Sequence, residues 1–233
     1  MNSQNLAPAQ TGTITVMTST GVTHLVTFTD AGKWLHAPGS DFLFAYIDST
    51  WPQSVQADVT NTFETALSLS QTIKDSVKKT AGQDVVNGLY LLNQPAMTEA
   101  MNAIDGMGQT AVATHSEQGS GTAVTINGEF FTAILGGLGG DVAPLMDFLT
   151  TQMGDLQVQT RQSKVTQNFG TVIGLISLMP VLNVPITSFQ YVYSSAQTSQ
   201  WFVQVMCVST DHYDYDYNYT VVNYNYVKPS AQA

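Results

Sequence analysis

The chain has 233 residues, a length at which α/β and β-rich proteins commonly form one large domain rather than two small ones. Seven Lys+Arg against 17 Asp+Glu leave a net charge of −10, which argues against a nucleic-acid partner and against electrostatic capture by an anionic membrane. Only 10% of residues are charged while 43% are hydrophobic, so a core can form and Thr, Ser, Gln and Asn supply the polarity.

Residues 1–12 predict a loose polar leader, and Met1–Pro8 shows neither the basic nor the apolar region of a secretory signal. Thr13–Met17 and Val22–Thr29, rich in Thr and β-branched residues, predict strands. The Pro-, Gly- and Trp-marked stretch after them predicts a loop. Val55, Val59, Phe63, Ala66, Ile73 and Val77 then recur near helical spacing, and Lys74, Lys78 and Lys79 close that helix where cations suit the dipole. Val85–Leu92 predicts a second helical segment. A third starts at Asn93 as N-cap, with Pro95 in its first turn and Met97, Met101 and Ile104 on a core-facing side, and ends at Gly106 and Gly108.

Gly119-Ser120-Gly121 leads into a short predicted strand, Ala123–Ile126. Asn127 caps a helix through Phe130, Phe131, Ile134 and Leu135. It stops at Gly136, Gly137, Gly139 and Gly140, and Asp141 caps the next helix, which carries Leu145, Met146, Phe148, Leu149 and Met153. Two apolar helices joined by four glycines predict a helical hairpin with a soft hinge. The glycines lack GxGxxG and GxxxxGK[ST] spacing, so they do not point to phosphate binding.

From residue 157 the pattern turns to strands. Phe189, Tyr191 and Tyr193 alternate with Ser188, Gln190 and Val192. Trp201, Val203, Val205 and Cys207 alternate with Phe202, Gln204 and Met206, and Tyr213–Tyr219 alternates tyrosines with His212, Asp214, Asp216 and Asn218. The whole predicts one α/β domain whose helices cover a largely antiparallel sheet.

Residues 165–210 contain no Asp, Glu, Lys, Arg or His. No apolar run reaches the ~18–20 residues of a transmembrane helix, and Thr171–Leu182 is interrupted by Gly174 and Pro180, so the folded state is expected to be water-soluble. A membrane β-strand needs only ~9–11 residues, and charge on its lipid face costs ~2–4 kcal/mol. Val172, Ile173, Leu175, Ile176, Phe189, Tyr191, Tyr193, Trp201, Phe202, Val203 and Val205 are therefore candidates for membrane-inserting strands. A sheet covered on both faces inside a soluble domain excludes charge equally well.

Catalytic signals are missing. His24, His36, His115 and His212 are scattered, and neither HExxH nor GxSxG occurs. Cys207, the single cysteine, reads as a small buried hydrophobe, and Asp211, His212, Asp214 and Asp216 as a polar strand face rather than a metal site. No cofactor, metal or catalytic residue is expected.

Ala123-Val124-Thr125-Ile126-Asn127, the Phe/Ile/Leu helix, the Gly-rich turn and Val142–Leu149 with Met153 resemble the Cyt cytolytic δ-endotoxins. Thr187–Tyr193 followed by Trp201–Val208, with Met206-Cys207-Val208, is similar to that family's Tyr-rich strand and the strand after it. Fungal volvatoxin resembles the chain too. The resemblance covers residues 123–228, and the first half only in element order. It implies a three-layer fold, a central sheet wrapped by two helical layers, in a toxin that binds membrane lipid without an enzymatic step, forms homo-oligomers and permeabilises cells. It also implies release without a signal peptide, with trimming of residues 1–12 and 229–233 from a domain at 13–228. Two rivals stay open: a non-lytic lipid- or carbohydrate-binding module, and an enzyme.

Overall fold

The computed structural model describes residues 12–18, 21, 23–37, 42–81, 91, 93–122, 145, 148, 166–167, 170–179, 181–193, 198–199 and 212–228. Eight strands form its main sheet: β1 (Gly12–Met17), β2 (Thr23–Phe28), β3 (Gly32–His36), β4 (Phe42–Asp48), β5 (Met107–Thr122), β7 (Gly170–Met179), β8 (Val184–Tyr193) and β10 (His212–Tyr226). Two short pieces, β6 (Thr166–Gln167) and β9 (Thr198–Ser199), pair separately. The strand order is β1-β2-β3-β4-β7-β8-β10-β5. Every neighbouring pair in it is antiparallel except β4 and β7.

That parallel pair dictates the architecture. Parallel neighbours need a crossover, and the chain between β4 and β7 carries the helices α1 (Gln53–Ala81) and α2 (Gln94–Asn102). At 1.5 Å per residue α1 is about 44 Å long, and it lies against β4, β7 and β8. Thr60, Thr62, Thr65 and Thr72 donate their hydroxyls to carbonyls four residues back, which keeps a Thr-rich helix self-satisfied. An Asx turn launches it: Asp48 Oδ1 accepts from the Thr50 amide (2.8 Å) and hydroxyl (2.6 Å). Those bonds hold the Asp48 carboxyl below the usual carboxylate range. Asn93 caps α2 as expected, accepting from the Ala96 amide at 3.1 Å.

The core on this face joins Val59, Phe63, Ala66, Ile73 and Val77 of α1 and Met97 and Met101 of α2 to the sheet. The sheet contributes Leu35, Leu43, Ala45, Ile47, Val172, Ile176, Phe189, Tyr191, Val222 and Tyr224. The methionine stripe is thus core.

Three stretches differ from their sequence reading. The stretch read as a loop after β2 holds β3 and β4. Phe42–Ile47 is apolar at almost every position because both sides of β4 are covered, so it lacks the alternation that marks a half-buried strand. Residues 107–122, for which the sequence predicted no strand before Ala123, form β5, a polar and glycine-containing edge whose register is set by β10. Pro185, a residue that lacks the N–H of a strand ladder, is nonetheless the second residue of β8, where that loss is tolerated. The segment 82–90, the strand at 123–126, the glycine turn with most of its hairpin, and Trp201–Cys207 lie outside the described residues.

Candidate functional site

The charge-free strands lie at the centre of the sheet. β7 and β8 pair over ten positions, from Gly170↔Tyr193 to Met179↔Val184. Every residue from Val172 to Ile176 and from Thr187 to Val192 is buried. Val172, Ile176, Phe189 and Tyr191 face α1, while Ile173, Leu175, Ser188, Gln190 and Val192 alternate to the other face. Two-sided coverage therefore accounts for the absence of charge in the folded state.

On the α1 side, Gly174 lets the strands close. A Cβ there would meet Leu43 Cδ1 and the Phe189 ring, the latter at 3.1 Å, so a side chain has no room. The Tyr191 hydroxyl donates to the Leu91 carbonyl, which fastens the segment before α2 to the end of the hairpin. Burial first, then the neighbouring Tyr193 and Tyr224, pushes the Tyr191 phenol well above its ordinary range. Its ring stacks on Tyr193 at 4.8 Å.

The other face is apolar towards β3 and β4 and polar towards β10. Phe148, a helical residue, stacks on Trp34 at 4.8 Å and lies 6.4 Å from Phe44 and 5.5 Å from the His36 ring. Phe148, one of the apolar residues expected on the second hairpin helix, packs on β3 and β4. Further along, Gln190 Nε2 donates to Asn223 Oδ1 (2.7 Å) and Ser188 Oγ to Asn225 Oδ1 (3.1 Å). Ser188 and Gln190 are polar positions of an alternating strand, yet both are buried. Cross-strand amide pairing to β10 is what allows them to be buried.

Two buried histidines flank this centre, one to each face. His24 (2% exposed) meets Phe63 of α1 edge-on at 5.4 Å, and His36 (4% exposed) shares a 3.0 Å hydrogen bond with Thr27. Burial pushes both below the ordinary imidazole range; Glu64 works against that at His24, and the Ala37 backbone works against it at His36. The sequence showed these histidines only as scattered, since nothing local marks a histidine as buried.

Among the described residues no group of three His, Cys, Asp or Glu side chains could hold a metal ion. A recess of about 280 Å³ beside the start of α1 is lined by Phe28, Ile47, Gln56 and Lys33 among others, with no carboxylate or imidazole in its wall. No helix among the described residues is long and apolar enough to cross a membrane, which says nothing of crossing by strands. Of the candidate strand residues, Val172, Ile173, Leu175, Ile176, Phe189, Tyr191 and Tyr193 come together here. Trp201, Phe202, Val203 and Val205, and the glycines 136, 137, 139 and 140, lie outside the described residues.

No protein-family model matches the chain, and no curated protein matches it in sequence. Among solved structures it is similar to the Evf virulence factor, at 13% identity over 76% of this chain and 69% of that one, with a TM-score of 0.45. It is similar to the activated Cyt2Ba monomer from Bacillus thuringiensis subsp. israelensis, at 11% identity over 82% of this chain and 100% of that one, TM-score 0.42. It is also similar to a delta-endotoxin, at 13% identity over 84% of this chain and 87% of that one, TM-score 0.39. The Cyt δ-endotoxins named from residues 123–208 are thus among the structures this chain is similar to.

Proposed function

We propose that this protein is a non-enzymatic cytolysin that permeabilises membranes by releasing its helical layers and placing β7 and β8 in lipid. The observation that carries the reading is the position of the charge-free segment. From residues 165–210 come β7 and β8 at the centre of the sheet, where α1 packs on one face and the residues of the other face are buried as well, while Phe148 covers the neighbouring β3 and β4. Burial explains why the folded state excludes charge. It also means that, once uncovered, the hairpin offers lipid no ionised group to reject.

Its dimensions suit a bilayer: ten residues at about 3.3 Å each give about 33 Å, against a hydrocarbon core of ~30 Å. Phe189 and Tyr191 would face acyl chains and Ser188 and Gln190 water. Strands with open edges cannot persist in lipid, so several copies must close a ring. The helix carrying Phe148 would form the second covering layer of a three-layer fold and swing about Gly136, Gly137, Gly139 and Gly140. Trp201, Phe202, Val203 and Val205 would extend the inserting set. The working domain would be residues 13–228, released from the producing cell or stored as an inclusion, and trimmed at both loose ends.

Calcein release from receptor-free phosphatidylcholine vesicles tests this. Concentration-dependent release supports it, and stable vesicle binding without release would leave a non-lytic lipid binder instead.

A further inference from the structure

The turn joining β7 to β8 holds Pro180 and Asn183, as hairpin turns do, but sets aliphatic side chains in solvent between and after them. Such turns ordinarily use Asn, Gly, Asp and Pro. Here Val181 is 88% exposed, Leu182 64% and Val184 51%, the first two among the turn residues and the third opening β8. The backbone holds them there in an ordered way. The Asn183 amide donates to the Met179 carbonyl (2.9 Å), and Asn183 takes the left-handed conformation (φ 52°) that short polar side chains tolerate. The turn therefore has a defined backbone conformation that presents aliphatic side chains to solvent.

The sheet register brings a fourth aliphatic to the same end. β8 and β10 pair up to Thr187↔Tyr226, so Val227, 69% exposed, follows directly beside the start of β8. Isolated exposed aliphatics are ordinary, but several gathered at one end of a sheet mark a contact surface.

We propose that this apolar tip is the element by which the folded protein first enters a bilayer, seating Val181, Leu182 and Val184 at the boundary between headgroups and acyl chains. The lipid reading of "Proposed function" supplies the partner, and the tip supplies the point of contact. Charge favours lipid over other occupants. Val181, Leu182 and Val184 belong to the uncharged segment 165–210, and the chain as a whole carries −10, so contact draws on apolar burial and suits an electrically neutral headgroup surface. The geometry also gives contact a consequence, because the tip is the turn of the very hairpin whose strands are to follow it.

Flotation with phosphatidylcholine vesicles tests the proposal on the full chain. Leu182→Asp and Val181→Asp should each lower the bound fraction at least tenfold, while Leu182→Trp keeps binding and shows a blue-shifted tryptophan emission on vesicles. Both aspartate variants should melt in urea like the parent, since exposed positions tolerate charge. Adding anionic phosphatidylglycerol should weaken binding of the parent. Unchanged flotation of both aspartate variants would overturn the proposal. So would concentration-dependent self-association abolished by Leu182→Asp with vesicle binding intact, which would assign the tip to a second copy. The two readings fail separately: tip-dependent binding without calcein release removes the lytic function alone, and release indifferent to the tip removes this proposal alone.

Discussion

Gly170→Ala tests whether the contact between Leu91 and the hairpin is a clamp. A Cβ at residue 170 would lie 2.6 Å from the Leu91 carbonyl oxygen and 2.8 Å from its carbon, against about 3.4 Å for ordinary contact. Both are backbone atoms, so relief requires moving the segment by close to 1 Å. Overpacking of this kind costs ~1–3 kcal/mol, and displacing Leu91 also weakens the hydrogen bond it accepts from the buried Tyr191 hydroxyl, worth ~0.5–1.5 kcal/mol. A combined loss of about 2–3 kcal/mol corresponds to a fall in Tm of roughly 4–12 °C for a chain of this size. Tyr191→Phe, which removes the hydroxyl that donates to the Leu91 carbonyl, should cost ~1–3 kcal/mol alone. Because both changes strike one contact, the double variant should cost less than their sum. Urea melts of the four proteins measure the cycle, and calcein release should be faster for either single variant because the layer opens more easily. Additive losses, or a Gly170→Ala protein as stable as the parent, would refute the clamp.

Burial predicts that Ile176→Lys (1% exposed) unfolds the protein or costs more than about 4 kcal/mol, while Val112→Lys (56% exposed) on β5 stays within about 0.5 kcal/mol by the same urea assay. Gln190→Leu should cost ~1–3 kcal/mol by stranding Asn223, and Gln190→Leu with Asn223→Leu should recover much of it, as thermal melts would show. His24 and His36 are held neutral by burial, so each gains a proton on unfolding. The stability that their neutral burial supports is present above about pH 6.5 and is lost as pH falls below it. Urea midpoints between pH 7.5 and 5.5 should therefore fall more steeply for the parent than for His36→Gln, and parallel curves would contradict this.

Legibility from sequence followed how local each signal is. The alternation of Phe189, Tyr191 and Tyr193 with Ser188, Gln190 and Val192 is a property of one strand, and it named β8 and its faces. The cap at Asn93 and the Met97–Met101 stripe are equally local, and so was α2. β4 lost its alternation to coverage by α1, the next element, on one side and by Phe148, about a hundred residues on, on the other. β5 has no apolar face of its own; its partner β10 lies about a hundred residues away, and only that pairing makes it a strand. The same distance hid the site's polar side. The partner that satisfies buried Gln190, Asn223, lies thirty-three residues on. The absence of charge in 165–210 was legible, whereas the two-sided burial of Val172–Ile176 and Thr187–Val192 within it required the fold.

Depth-resolved quenching of β8 on vesicles bears most directly on the claim that the charge-free strands enter lipid. Positions 187–192 would be changed one at a time to cysteine in a Cys207→Ala background, labelled with an environment-sensitive fluorophore and exposed to a nitroxide at the bilayer centre. The account predicts a period of two: labels at Phe189 and Tyr191 are quenched, those at Ser188 and Gln190 are not. Calcein release proceeding while none of the six labels is quenched would contradict it.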